Sequence, residues 1–331
     1  MATYLPVNSA SENGICILGS ESYPADGDKL EINFQSEYYI AVMQLEKHSF
    51  LVAGVYSDDQ NYQLARFGKT CPPINETSKF TRFFKMYLSE NPASMKREGL
   101  LLNGSFRYSA HTISKEMYQR LVEFMPEFKY KKEAGCYYLN GSEQSYQYKT
   151  FHPIESCNAQ SSLGFEEQEI IEEAKTLTNS NSCRTTASRI VEMVTNGNVK
   201  ISRNHRIPLP CYDSFARGKP EQFLYVMPEP ASLFLTADSF VLQAIYQRMD
   251  VLRTRTGGVD KFKALKKLYA DIAKVPAEDQ QQILSVLTQF KKEQKEVLTR
   301  RRNQFDWVHR STNTAILIDY LLATMRLKRA M

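Results

Sequence analysis

The sequence predicts an α+β domain over residues 1–205 followed by a basic α-helical domain over 206–331. Three observations carry this. The first half is built from short runs rich in β-branched and aromatic residues, the composition of strands. From Ala237 onward the apolar residues recur at helical spacing. Between them, Arg203 to Pro210 (RNHRIPLP) interrupts any regular structure with two prolines and reads as a linker.

The strand candidates are Lys29 to Phe34, Tyr38 to Leu45, Phe50 to Tyr56 and Tyr62 to Phe67. The polar run Asp58-Asp59-Gln60-Asn61 separates the last two as a hairpin turn. Lys79 to Leu88 has helical spacing. Ser114 caps a helix whose apolar positions are Met117, Leu121, Val122 and Phe124, and Pro126 ends it. Cys136 to Asn140 and Tyr146 to Phe151 flank a turn containing Gly141. Phe165 to Leu177 reads as an acidic helix, and Thr178 to Ser182 as a polar turn. The next helix opens near Cys183 and places Ala187, Ile190, Val191 and Val194 on one face. Asn196-Gly197 is its stop signal. Four helices are expected beyond the linker: Ala237 to Arg253, Lys261 to Lys274, Ala277 to Trp307 and Thr312 to Arg329. Together they predict an α-helical bundle. The fold expected for the first domain is a small antiparallel sheet packed on the Cys183 helix.

Composition sets the remaining bounds. The 331 residues are 42% hydrophobic and 24% charged, with 14 Gly and 13 Pro, values of an ordinary globular chain. No apolar run reaches the roughly 18 residues that span a bilayer, and the N-terminus has no basic region followed by a long apolar core. The sequence therefore predicts a cytoplasmic location in the producing cell, or delivery into a host cell without a cleaved signal. The net charge is +5. It is uneven: from Arg248 to the end, eighteen Lys and Arg face nine Asp and Glu. Such a tail would meet a host protein or an anionic membrane, if it is not simply a solvated helix surface. Nucleic acid is disfavoured, because the aromatics near the Lys clusters (Phe262, Tyr269, Phe290, Phe305 and Trp307) are spaced as helix core.

The six cysteines (Cys16, Cys71, Cys136, Cys157, Cys183 and Cys211) lack C-x-x-C pairs and zinc-type spacing. A reducing compartment and no structural metal are expected. G-x-G-x-x-G, G-x-x-x-x-G-K-[ST], H-E-x-x-H and G-x-S-x-G are all absent, so no cofactor is expected. The acidic run Glu166 to Glu173 lacks the spacing of a calcium loop.

One constellation carries chemistry. Asn181-Ser182-Cys183-Arg184 puts a cysteine in the first turn of a helix, where unpaired N–H groups and the macrodipole favour thiolate. The Cys183 N–H, with Asn181 nearby, would form an oxyanion site. The nucleophile needs a histidine. His48 opens the strand Ser49 to Tyr56 and shares a face with Phe50, Val52 and Gly54, the small Gly54 leaving room along it. His111 precedes a helix, His152 lies beside Pro153, His205 is in the linker and His309 in the basic helices.

The order of these pieces resembles the circularly permuted papain-like superfamily of cysteine peptidases and acyltransferases, in which the histidine strand precedes the cysteine helix. The stretches that carry it are KHSFLVAGVYSDDQNYQLARFG (Lys47 to Gly68), HTISKEMYQRLVEF (His111 to Phe124), GCYYLNG (Gly135 to Gly141) and NSCRTTASRIVEMV (Asn181 to Val194). A small papain-like domain joined to a Lys-rich helical region also resembles secreted effectors of intracellular bacteria such as Legionella. The resemblance implies Cys183 as nucleophile and His48 as base. It implies a third, orienting side chain on a neighbouring strand, for which Gln44 is preferred over Glu46 and Asn33; Asp58 and Asp59 sit far along the strand.

The function expected on this basis is hydrolysis of a protein or peptide substrate through an acyl-enzyme, as a protease or amidase. An acyltransferase or deamidase on the same scaffold is the nearest alternative. A non-catalytic adaptor working through the basic helices is the reading from a different class.

Overall fold

A computed structural model describes residues 24–32, 37–45, 48–57, 60–71, 90–98, 106–151, 163–178, 180–203, 224–230, 240–253, 258–300 and 312–330. The fold is a mixture of helices and a multi-stranded sheet, as the α+β reading expects. The chain divides into two compact units, Met1–Pro208 with Asp213–Val226, and Leu209–Tyr212 with Met227–Met331.

In chain order the first unit holds β1 (Lys29–Glu31), β2 (Glu37–Leu45), β3 (His48–Ser57), β4 (Gln60–Thr70), β5 (Asn91–Pro92), β6 (Ser94–Arg97) and β7 (Phe106–Ile113). Then come α1 (Lys115–Phe124), β8 (Ala134–Asn140), β9 (Ser142–Phe151), α2 (Phe165–Ala174), β10 (Thr176–Leu177) and α3 (Cys183–Val194). The main sheet has six strands in the order β11-β7-β2-β3-β4-β6, where β11 is Val226–Met227. Its β7-β2-β3-β4-β6 pairings are antiparallel. A second sheet, β1-β9-β8, and the short β5-β10 pair complete the strands.

The β3–β4 hairpin pairs Ser57 with Gln60, and its register shifts at Ala53/Gly54. Asp58 and Asp59 lie outside the described residues, while Gln60 and Asn61, expected in the turn, are already paired in β4. At the shift, a Cβ on Gly54 would sit 1.9 Å from the Tyr62 carbonyl oxygen. Gly54 is thus required for a close backbone approach at a bulge, not to leave room for His48. Alternation divides the sheet. Ile40, Val42, Leu51, Ala53 and Phe67 face one core with Ala187, Ile190 and Val191 of α3. Tyr39, Ala41, Met43, Phe50 and Val52 face another, with Tyr108, Leu224 and Val226. Burial on both faces explains why β2 reads as an unbroken apolar run.

Several local signals act as expected. Ser114 accepts from the Met117 N–H at 3.2 Å and caps α1. Pro126 lies in the 3-10 turn that ends it. Gly141, with φ of 75°, turns β8 into β9. Asn196 and Gly197 both take positive φ and close α3, the Gly197 N–H reaching the Glu192 carbonyl at 2.7 Å. One expectation fails: the acidic helix stops at Ala174, not Leu177. Thr176 and Leu177 pair with Pro92 and Asn91 as a strand, so tertiary pairing overrides a locally helical run. The helix expected at Lys79 to Leu88 lies outside the described residues.

The second unit contains α4 (Phe240–Leu252), α5 (Val259–Ala273), α6 (Gln280–Glu293), α7 (Lys295–Thr299) and α8 (Asn313–Ala330). The single helix expected from Ala277 is broken at Gln294, the C-cap of α6 and N-cap of α7. Phe262, Tyr269 and Phe290 are buried, as their spacing implied. Part of the basic surface is internally neutralised. Lys261 is buried and donates to the Arg300 carbonyl at 2.6 Å, Lys291 pairs with Asp319 at 2.6 Å, and Arg300 with Asp260 at 2.9 Å. Among the described residues no helix is long and apolar enough to cross a membrane.

Candidate active site

The site is assembled where three elements end. β3 supplies His48 at its first position, α3 supplies Cys183 at its first position, and Glu98 follows directly on β6. The α3 helix starts there because Ser182 caps it, accepting from the Thr185 N–H at 3.3 Å. It lies against β2, β3 and β4 because Ala187, Ile190, Val191 and Val194 are all buried. Each fully buried aliphatic side chain there is worth roughly 1.5–3 kcal/mol, enough to hold the helix start in register with the sheet.

The β3–β4 ladder stops at Phe50↔Gly68. One residue further on, the Ser49 N–H donates to Cys183 Sγ at 3.2 Å. His48 Nε2 lies 2.6 Å from Glu98 Oε1, and the imidazole also interacts with the Cys183 thiol. Glu98 Oε2 is held by Lys96 Nζ at 3.2 Å. The His48 ring also stacks on Phe50 at 5.8 Å between centroids.

The titration behaviour follows. Burial alone would lower the His48 pKa, but its hydrogen bonds to Cys183 and Glu98 outweigh that and raise it to about 9. Burial would raise the Cys183 thiol, yet the His48 hydrogen bond and the Ser49 N–H bring it below its ordinary value. Burial also works against ionised Glu98, and the bond to His48 with the charges of His48 and Lys96 keeps it ionised. Both shifts favour thiolate facing imidazolium. Cys136 provides the internal contrast: fully buried between sheet and helix, its thiol is pushed up to about 12. The three described cysteines, Cys71, Cys136 and Cys183, are all free thiols.

The expected residues fare differently. His48 and Cys183 come together. Gln44 does not orient His48: it sits opposite Ser49 and Arg107 in the sheet, 3% exposed, and Glu98 occupies the place expected for it. Glu46, Asn33, Asp58 and Asp59 lie outside the described residues. Asn181 is near the nucleophile but its amide is spent elsewhere. Its Nδ2 donates to the Glu173 carbonyl at 2.7 Å and the Thr176 carbonyl at 3.1 Å, and its Oδ1 accepts from Lys69 at 2.8 Å. It therefore fixes the loop before Cys183 and has no donor to offer an oxyanion. His111 is buried on β7, 3.2 Å from Ser109 Oγ. His152, His205 and His309 lie outside the described residues.

Two functional residues were not anticipated. Glu98 is one. Lys69 is the other: it is 2% exposed, and its Nζ reaches the Glu173 carbonyl at 2.9 Å, the Asn181 carbonyl at 3.1 Å and Thr186 Oγ1 at 3.2 Å besides Asn181 Oδ1. Four acceptors share three hydrogens, so the ammonium is fully engaged. Burial lowers its pKa to about 8, against the pull of the Cys183 and Glu173 charges. Lys69 thereby ties the end of α2 and the loop before α3 to β4. A signal existed, since Ala65, Phe67 and Lys69 alternate along β4 and a lysine on an apolar stripe is unusual.

Gly68 is required by the site. A Cβ there would lie 2.0 Å from Glu98 Oε1 and 3.0 Å from His48 Nε2. The obstructed group is a side-chain carboxylate that can swing away, so folding is spared while the His48–Glu98 bond is not. Gly68→Ala is expected to leave the thermal midpoint nearly unchanged and to slow Cys183 alkylation at pH 7 about tenfold, the loss of one charge-assisted hydrogen bond. Melting curves and iodoacetamide kinetics on the same preparation check both halves.

Fold and site together define an α+β protein with a Cys–His–Glu constellation at a helix N-terminus. No family model, no curated protein and no solved structure matches the chain. Among the described residues no group of three or more His, Cys, Asp or Glu is placed to hold a metal ion.

Proposed function

We propose that this protein is a thiol-dependent hydrolase of permuted papain-like type, cleaving an amide bond in a protein or peptide through an acyl-enzyme. The observation that carries the reading is the convergence of His48, Glu98 and the Ser49 N–H on Cys183 at the first turn of α3. In this reading Cys183 Sγ attacks the carbonyl carbon and the electron pair moves to oxygen. The Cys183 N–H, which has no partner among the described residues, is a donor for that oxyanion. Imidazolium His48 protonates the leaving amine as the C–N bond breaks, giving a thioester. His48, now neutral, takes a proton from water, whose oxygen attacks the thioester; the acid leaves and the thiolate–imidazolium pair is restored. Glu98 keeps the ring oriented and its positive form favoured. An amine or alcohol in place of water would make the same site an acyltransferase.

Limiting iodoacetamide, with mass spectrometry at all six cysteines, tests the central element. Cys183 is expected to react first, with an acid limb below the ordinary thiol range, while Cys136 stays inert at neutral pH. A Cys183 that reacts no faster at pH 7 than an unperturbed thiol would remove the nucleophile and the proposal with it.

A further inference from the structure

A cleft of about 580 Å³ lies beside β6, bounded by the residues that lead into β8 and by β9. Its size is that of an ordinary ligand site. Lys96, Arg97, Lys131 and Lys132 line it with positive charge, and Glu133 is the one carboxylate among its described lining residues. Lys131 and Lys132 are exposed and have no ion-pair partner among the described residues. Tyr148 also lines the cleft; it is 2% exposed, with its hydroxyl packed against Gly135. The Arg97 guanidinium lies 5.0 Å from the centre of the Tyr148 ring. Lys96 belongs to both places, lining the cleft while its Nζ holds the Glu98 carboxylate.

We propose that this cleft binds the acidic side chains of the polypeptide whose scissile bond is presented to Cys183. The inference rests on the hydrolase reading and adds its substrate class. With Lys96 already held by Glu98, the exposed Lys131 and Lys132 still outnumber Glu133, and they attract an anion and raise its encounter rate. A peptide is favoured over a nucleic acid strand for two reasons. Single-strand binding uses open aromatic faces, whereas the Tyr148 ring is occupied by Arg97 and by Tyr137, 5.2 Å away. A thiol nucleophile also needs an acyl carbon, which the peptide supplies.

The test uses the full chain and fluorescein-labelled hexaglutamate, followed by anisotropy at physiological ionic strength. Hexaglutamate is expected to bind about tenfold or more tightly than a Ser-Gly peptide of equal length. The double variant Lys131→Glu/Lys132→Glu should erase that preference and leave the iodoacetamide rate of Cys183 unchanged. Equal binding of the neutral peptide, an unaffected charge-reversal variant, or tighter binding of a thymidylate hexamer would overturn the assignment. Intact hexaglutamate binding with an unreactive Cys183 would defeat the hydrolase reading, and with it the substrate role of the cleft.

Discussion

His48→Ala is expected to slow alkylation of Cys183 at pH 7 by about 10²-fold and to abolish amide hydrolysis to within the same order as Cys183→Ala. The direction follows from the opposing influences on the thiol. Burial drives Cys183 toward the protonated form, and the His48 hydrogen bond is the largest influence opposing it. Removing the imidazole leaves burial ahead, so the thiol titrates higher and the thiolate fraction at neutral pH collapses. The Ser49 N–H persists in the variant and preserves part of the effect, so the acid limb of the alkylation profile moves up rather than disappearing. An unchanged limb in His48→Ala would show that the helix terminus and Ser49 alone set the thiol, and that His48 plays no part in activation.

Glu98→Gln separates the two roles of the histidine. The carboxylate is one of the groups that raise His48 to about 9, by hydrogen bond and by charge. Gln keeps an acceptor oxygen but not the charge, so the folded-state pKa of His48 falls. The group with the raised pKa is protonated below it, and the imidazolium that protonates the leaving amine is lost as pH rises through it. In the parent protein hydrolysis should therefore decline near pH 9, while alkylation, which needs only thiolate, continues. In Glu98→Gln the basic limb of hydrolysis should move to lower pH and kcat fall by about 10–100-fold, with the alkylation rate less affected. Gln44→Ala, made in parallel, should move neither limb. A basic limb that stays in place in Glu98→Gln would remove Glu98 from the mechanism.

The part of this site that was legible in the sequence is the part encoded locally. Ser182-Cys183 before an amphipathic run identifies a capped helix with cysteine in its first turn, and the structure places both so. His48 heads an apolar alternation that could only be a strand. Glu98 was invisible for a physical reason. It acts through the pairing of β4 with β6, which brings Gly68 opposite Lys96 across a long intervening stretch, and nothing local to Lys96-Arg97-Glu98 announces that partner. Gln44 was attractive because strand neighbours are the natural place to look; alternation puts it opposite Ser49 rather than His48. Asn181 stands two residues before Cys183, but its competing acceptors, the carbonyls of Glu173 and Thr176, come from the end of α2 and from a strand that the sequence disguised as helix. The break at Gln294 shows the same limit in the second unit, where periodicity continues through a change of helix.

The sulfur of Cys183 doubles as the last rung of the sheet. Where β3 and β4 stop pairing, an amide that would otherwise seek a carbonyl is satisfied by the sulfur itself. In the proposed mechanism, acyl transfer onto that atom would turn a charged acceptor into a poor one and release the Ser49 amide. Secondary structure and covalent chemistry thus draw on one electron pair.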